Sequence, residues 1–409
     1  MVDSQTVKSH RNAVAGAPTT GARNVLVFST SRMVWGAERG LLGLAPLLGQ
    51  LGVALTLASP QGALSEAWLA AGFPHVEFPV ADRHGLRDPD GGRPGPRVLA
   101  REVSETVGTA RRLARFVKAF DIIHSNSLPG HLDCALAGRM ARRPVVLELH
   151  DIVRPGLGRH VQRAAVRLAS CTIAVSRSVG ESIGGHPHSL HVVPQGVDLE
   201  RFQPGPPDAS WRARLSSDPD EPIIGVVGRV DPEKGIRTVL QAMTMLDGPA
   251  RHSHLAVVGA PARDDGTYEA ELRAEAASML GDRCRFVGPV DEVPAVLRSL
   301  DVLVNASASE PFGLSVLEAQ ACGVPVIGAA SGGIPEFVTD GETGLLVTPG
   351  RPDALAAGLS RLLGTPGLSD DLTARALNGV VAHHTIAARA ETVADLYRSL
   401  AAVRAPARR

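Results

Sequence analysis

The chain has 409 residues, 44% of them hydrophobic, and its 42 Lys and Arg equal its 42 Asp and Glu. That length exceeds one ordinary core and suffices for two domains. A net charge of zero provides no basic field for a polyanion, so nucleic acid is excluded as an expected partner.

Residues 1–22 are small and polar, without the apolar centre of a signal peptide, and are expected to form a flexible tail. The first strand is expected at Asn24–Ser29. A turn at Trp35-Gly36-Ala37-Glu38 then leads into an apolar helix running to Leu51. Further short apolar runs follow at Val53–Leu57, His75–Phe78, Asp121–His124, Pro144–Leu149 and Cys171–Val175. Their alternation with helical patterns predicts a doubly wound parallel α/β domain over 23–202. Turn formers in Pro204–Asp208 and Ser216–Asp220 suggest a linker over 203–220. A second alternating set, Pro222–Val227, Leu255–Gly259, Cys284–Gly288, Val302–Val304 and Val324–Ile327, predicts another such domain over 221–382. Ligand is then expected in a cleft at the carboxyl ends of both sheets. The segment 383–405 shows helical spacing at Val393, Leu396, Leu400 and Val403.

The four cysteines, Cys134, Cys171, Cys284 and Cys322, are widely scattered and have no C-x-x-C spacing; they are expected to be small buried apolar residues. No apolar stretch approaches the roughly 18 residues of a membrane-spanning helix, so a cytoplasmic chain is expected. Peripheral contact with an anionic membrane remains open, because Arg111-Arg112-x-x-Arg115 and Arg159-x3-Arg163-x3-Arg167 place arginines at helical spacing. A solvated helix face is the other reading of the same residues.

Between Val302-Leu303-Val304 and Val324-Pro325-Val326-Ile327 stand two carboxylates separated by seven residues, in Glu310-Pro-Phe-Gly-Leu-Ser-Val-Leu-Glu318. A helix starting near Gly313 would offer unpaired N–H groups and a positive dipole end, which suit a phosphate. Glu318 would then lie about 7.5 Å along the axis, with Glu310 on the other side of the helix entrance. Upstream, Arg229 and Lys234 share one strand-to-helix loop, and two fixed cations would stabilise a departing diphosphate. Taken alone, each pair also reads as ordinary solvated charge.

These blocks together resemble retaining glycosyltransferases of the GT-B fold, the large family numbered four, which use nucleotide-diphosphate sugars. The resemblance covers Gly225–Gly235, Ala306–Leu314 with Glu318, Ser331–Val338 and Asp340–Val347. It implies two facing Rossmann-like domains, with the terminal helix returning to the first. It also implies that Glu310 contacts hydroxyls of the transferred sugar and Glu318 the nucleotide ribose, while backbone at Phe312, Gly313, Leu314 and Ser315 meets sugar and phosphate. The base would lie against Phe286–Val290, Val287 included.

In the N-terminal half the family commonly has two adjacent glycines where this chain has Trp35-Gly36. Gly36 alone would still let backbone approach the phosphate, and Trp35 either contacts the acceptor or caps the loop. His150, after Leu147-Glu148-Leu149, matches the family's histidine near the reacting sugar. His124 is as readily a group that organises the acceptor loop, and His84 is expected to face solvent. The catalytic set implied is thus His150, Arg229, Lys234 and Glu310.

Asp88-Pro89-Asp90 and Asp218-Pro219-Asp220 have Asp-x-Asp spacing but sit in proline-rich turns, so no metal and no other cofactor is expected. The co-substrates implied are a nucleotide-diphosphate sugar and a hydroxyl acceptor in a surface glycan, glycolipid or small metabolite. The arginine- and alanine-rich composition suggests a bacterial source. Two other readings use the same fold: a sugar phosphorylase, and a non-catalytic glycan-binding scaffold.

Overall fold

The structure, a computed structural model, describes residues 23–80, 95–185, 189–261 and 266–402. The expectations for the tail 1–22, for His84, for Asp88 and Asp90, and for Val403 lie outside them. The described residues form two compact units. The first comprises the chain up to Val175, Val179–Val193, and the chain from Ala387 onward; the second comprises Ser176–Ser178 and Pro194–Ile386.

In the first unit β1 (Arg23–Phe28), β2 (Val53–Ser59), β3 (His75–Glu77), β4 (Ile122–Ser125), β5 (Val145–Leu149), β6 (Cys171–Ala174) and β7 (Leu190–Val192) form one sheet in the order β3-β2-β1-β4-β5-β6-β7. Every pairing is parallel, for example Val25 with Leu55 on one side and Ile122 on the other. Parallel neighbours need a crossover between them, supplied by helices such as Gly36–Gln50, Pro96–Phe116 and His131–Ala141. Val25, Leu26, Val27 and Phe28 are all fully buried, as expected for a strand covered on both faces.

The second unit repeats the plan with β8 (Ile223–Val227), β9 (His254–Val258), β10 (Cys284–Gly288), β11 (Val302–Asn305), β12 (Val326–Ala329) and β13 (Leu345–Val347), ordered β10-β9-β8-β11-β12-β13. Its core packs Ile224, Val226, Leu255, Val257, Val302 and Val304 against Val239, Leu240, Leu359 and Leu362. Sheet order reverses at β1/β4 in the first unit and at β8/β11 in the second. Open parallel sheets bind ligands at such switch points, outside the carboxyl ends of the strands.

Both sheets gain a strand that sequence patterning did not suggest. β7 and β13 are three-residue edge strands, too short to show a period and only partly buried. The segment 203–220 is not a bare linker either. Asp208 Oδ1 caps a helix, Ala209–Leu215, accepting from Ser210 N at 2.8 Å and Trp211 N at 3.2 Å. Trp211 and Leu215 are buried, and Arg212 bonds Asp301 at 3.0 Å, which ties this helix into the second unit. The turn formers at 204–208 are its capping sequence.

At the other end, Leu368–His383 and Ile386–Ala402 are separate helices. Residues 384–386 run beside the chain's entry into the second unit: Val197 N donates to His384 O and Ile386 N to Val197 O. Gly196 is needed there, because a Cβ would lie 2.5 Å from Thr385 O. The buried face of Ile386–Ala402 is Arg389, Ala390, Val393, Ala394 and Tyr397. Leu396 and Leu400, expected on that face, are only half-buried.

Candidate functional site

The loops after β8 and β11 meet at the second switch point. After β8, Gly228 (φ 150°) turns the chain into Arg229-Val230-Asp231 and a short 3₁₀ turn, Pro232–Lys234. Lys234 therefore closes that turn and does not open the next helix, Ile236–Met243. Asp231 Oδ1 accepts from Glu233 N at 2.9 Å and Lys234 N at 3.2 Å, while Oδ2 lies 3.4 Å from Arg229. Gly235 (φ 66°) lets the loop pass Ala306, whose carbonyl oxygen would stand 2.2 Å from any Cβ.

Lys234 and Glu310 form a direct ion pair, Nζ to Oε2, at 2.8 Å. Oε2 also accepts from Ser307 Oγ at 2.9 Å and Asn305 Nδ2 at 3.1 Å. All three donors converge on one oxygen, and Oε1 accepts no bond among the described residues. Burial pushes the Glu310 carboxyl up, but the Lys234 charge and these hydrogen bonds outweigh it and hold the group below the usual carboxylate range. Glu310 is thus a fixed anion with one oxygen committed.

The helix Leu314–Ala321 begins at Gly313, whose φ of 102° is the left-handed cap conformation. Val316 N and Leu317 N donate back to Gly313 O, while the N–H groups of Leu314 and Ser315 donate to nothing among the described residues. Phe312 is buried and stacked on Phe337, centroids 5.0 Å apart, so its ring is taken up in packing. The loop is braced from behind by Gly333 N donating to Glu310 O at 2.9 Å and by Ser331 Oγ donating to Ser307 O at 2.8 Å. A Cβ on Gly332 would come 1.8 Å from Glu310 O. Glu318 lies half-buried farther along the helix.

Val287 falls where the β10–β9 register slips between Phe286 and Gly288. The bulge takes its backbone out of the regular ladder at a strand's carboxyl end. Phe286 is covered by the Arg273 guanidinium at 4.7 Å.

In the first unit Gly36 opens the helix Gly36–Gln50, and Glu38 Oε2 accepts from Trp35 N at 3.1 Å. Burial raises the Glu38 carboxyl. A Cβ on Gly36 would meet nothing within 4 Å, so the protein's own packing does not demand glycine there. His150 follows β5. Its Nε2 faces two acceptors, Asn126 Oδ1 at 3.1 Å and Glu148 Oε1 at 3.4 Å, and therefore carries the proton. Burial lowers the His150 pKa against the pull of Glu148, so the ring is neutral near pH 7.

Behind His150 lies a cluster that sequence reasoning missed. Glu148 is buried and pairs with Arg389 through Oε1; His124 Nε2 lies 2.9 Å from Oε2, although off the line of a good hydrogen bond. His124 Nδ1 bonds the Tyr397 hydroxyl. Burial raises the Tyr397 pKa, so the hydroxyl keeps its proton and donates. His124 is thus enclosed in the fold. The one signal available in the sequence was an acidic residue inside an otherwise apolar strand.

Residues 34–201 match the family described as Glycosyltransferase Family 4, and residues 208–378 match Glycosyl transferases group 1. The chain belongs to the family-four type of GT-B glycosyltransferases. Among relatives of this type, the D-inositol 3-phosphate glycosyltransferase of Rhodococcus opacus (strain B4) is 40% identical over 187 residues, covering 44% of this chain and 42% of that protein. That of Acidothermus cellulolyticus is 34% identical over 257 residues, covering 56% of each. The chain spans about half the length of the curated relatives it matches.

Solved GT-B structures cover nearly all of it. Anabaena Alr3699/HepE, in complex with UDP-glucose, has a TM-score of 0.77 at 22% identity, over 92% of this chain and 100% of that one. The sucrose-phosphate synthase of Thermosynechococcus elongatus has a TM-score of 0.74 at 24% identity, over 93% and 100%. Both show the fold. No described helix is long and apolar enough to cross a membrane.

Proposed function

We propose that this chain transfers a hexosyl group from a nucleotide-diphosphate sugar to a hydroxyl acceptor with retention of anomeric configuration. The observation that carries the reading is the Lys234–Glu310 pair, held by Asn305 and Ser307 at the β8/β11 switch point beside the open N–H groups of Leu314 and Ser315. Lys234 has three protons and Glu310 occupies one, so the ammonium can also serve a phosphate oxygen. Arg229 and the helix entrance add positive potential for the leaving diphosphate, without a metal.

Glu310 Oε1 would accept from donor-sugar hydroxyls. With Oε2 fixed to three donors, Glu310 is a positioning group and a poor nucleophile. Retention then proceeds on one face, through an oxocarbenium-like ion pair in which the departing phosphate takes the acceptor's proton. His150 would act near the reacting sugar as a neutral ring. Glu318 would hold the ribose, Val287 backbone the base, and backbone at Gly36, Phe312 and Gly313 the phosphates and sugar.

UDP-glucose is the first donor to test, because a solved relative of the same fold binds it. D-Inositol 3-phosphate, named in the matched relatives, is the first acceptor. Purified full-length chain given UDP-glucose, other nucleotide sugars and this acceptor is expected to release nucleotide diphosphate in the presence of EDTA. Stabilisation by a free glycan, with none by any nucleotide sugar, would overturn the reading in favour of a glycan-binding scaffold.

For the acceptor side, we place the enzyme on the cytoplasmic face of a membrane, touching anionic lipid through Pro96–Phe116. Val98, Leu99 and Val103 are exposed there beside Arg97 and Arg101. Arg163, in the other basic stretch, is used internally, donating to Ile183 O at 2.6 Å. Co-sedimentation with phosphatidylglycerol vesicles, but not phosphatidylcholine ones, is the expected result.

A further inference from the structure

Glu148 and His150 are two residues apart on β5 and its extension, so their side chains share one face of the sheet. His124 lies on the same face, since it registers with Val146 on the neighbouring strand. The helix Ile386–Ala402 covers that face with Arg389, Val393 and Tyr397, one turn apart from each other. Arg389 donates to Val193 O at 2.6 Å through one nitrogen and to Glu148 Oε1 through another. The guanidinium is therefore fixed at both ends, and the oxygen it holds is the one facing His150 Nε2.

We propose that Arg389 is a positioning residue for His150: by satisfying Glu148 it keeps His150 neutral, with Nε2–H held on Asn126. A buried carboxylate needs a positive partner. Arg389 supplies a permanent one. Without it, Glu148 would draw a proton onto an imidazole, and His150 and His124 are both within 3.4 Å. The groups acting on His150 are Glu148 on its own strand, Asp151 in the following loop, His124 on β4 and Arg389 from the last helix. Of these, Arg389 is the fixed cation.

The part His150 plays in transfer rests on the function proposed above; the coupling of Arg389 to His150 does not. Histidine ring signals of the full chain are titrated by NMR in wild type, Arg389→Met, Arg389→Lys and Glu148→Gln/Arg389→Met. The His150 midpoint is expected to rise by about one pH unit in Arg389→Met, and to return toward wild type in Arg389→Lys and in the double variant. An unmoved midpoint in a folded Arg389→Met would overturn the inference and leave Arg389 as a helix staple. If that variant does not fold, Glu148→Gln is compared with the double variant. The double is expected to titrate higher, and equal midpoints sink the proposal. Donor turnover is followed in parallel, its acid limb expected to move up with the NMR midpoint. A limb that stays while the midpoint moves leaves the coupling standing and removes His150 from the reaction.

Discussion

Each unit contains a carboxylate held by a cation, and the two pairs are built for different ends. Arg389 and Glu148 are each 4% exposed and 241 residues apart in sequence, and their neighbours close over both carboxylate oxygens. Lys234 and Glu310 are 22% and 8% exposed, and three donors crowd Oε2 while Oε1 accepts nothing from the described residues. A pair wrapped on all sides can only hold the fold or pass its influence to a neighbour. One with an uncommitted oxygen and a cation with protons to spare has capacity left for a ligand. Burial alone does not separate the two; the count of unfilled bonding positions does.

The largest effect that would test this contrast is on stability in the first unit. Arg389→Met leaves Glu148 buried without its permanent partner, and is expected to cost about 3–5 kcal/mol, read as a lower urea midpoint. Glu148→Gln/Arg389→Met should recover much of that loss, because no charge is then stranded. Next comes Lys234→Ala, whose main loss is expected in turnover, about 10²–10³-fold, with circular dichroism unchanged. If Lys234→Ala costs only stability while Arg389→Met only slows turnover, the assignments of the two pairs are reversed.

The sequence made these pairs unequally visible. Strands β1, β2, β4, β5, β8, β9, β11 and β12 show as apolar runs because parallel strands are buried on both faces, whereas β7 and β13 lie at edges and are three residues long. Glu310, Gly313 and Glu318 fall in one contiguous loop and helix, so their relation is set by local geometry and a motif reports it. Even there the direct bond to Lys234, 76 residues away, emerges only when β8 and β11 lie side by side. Arg389 gave no local sign at all. It sits among alanines on an amphipathic helix, and its meaning comes from the strand it covers.

Acidity sharpens the comparison further. The Glu310 carboxyl is held below its ordinary value, so its pairing contributes stability above the unfolded carboxylate pKa of about 4.3 and loses it as pH falls through the folded value. Glu148 behaves likewise: burial pushes it up, but His150, Arg389 and His124 outweigh this and hold it well down. The melting temperature of Lys234→Ala is therefore expected to lie farthest below wild type near pH 7 and to approach it only as pH falls below the unfolded value of about 4.3 and through the lower folded one. A constant gap across that range would mean that Lys234 supports the loop by packing and not by charge.

The smallest expected effect separates anchoring from chemistry within Glu310 itself. Ser307→Ala removes one of the three donors on Oε2 and leaves Lys234 and Asn305 in place. The stability cost should be about 1 kcal/mol, since the buried oxygen keeps two partners. Donor turnover should fall by no more than roughly tenfold, because the charge of Glu310 and its open Oε1 survive. A loss as deep as that of Lys234→Ala would show that transfer depends on the angle at which Oε1 is presented, and that the hydroxyl of Ser307 sets that angle as firmly as the ammonium does.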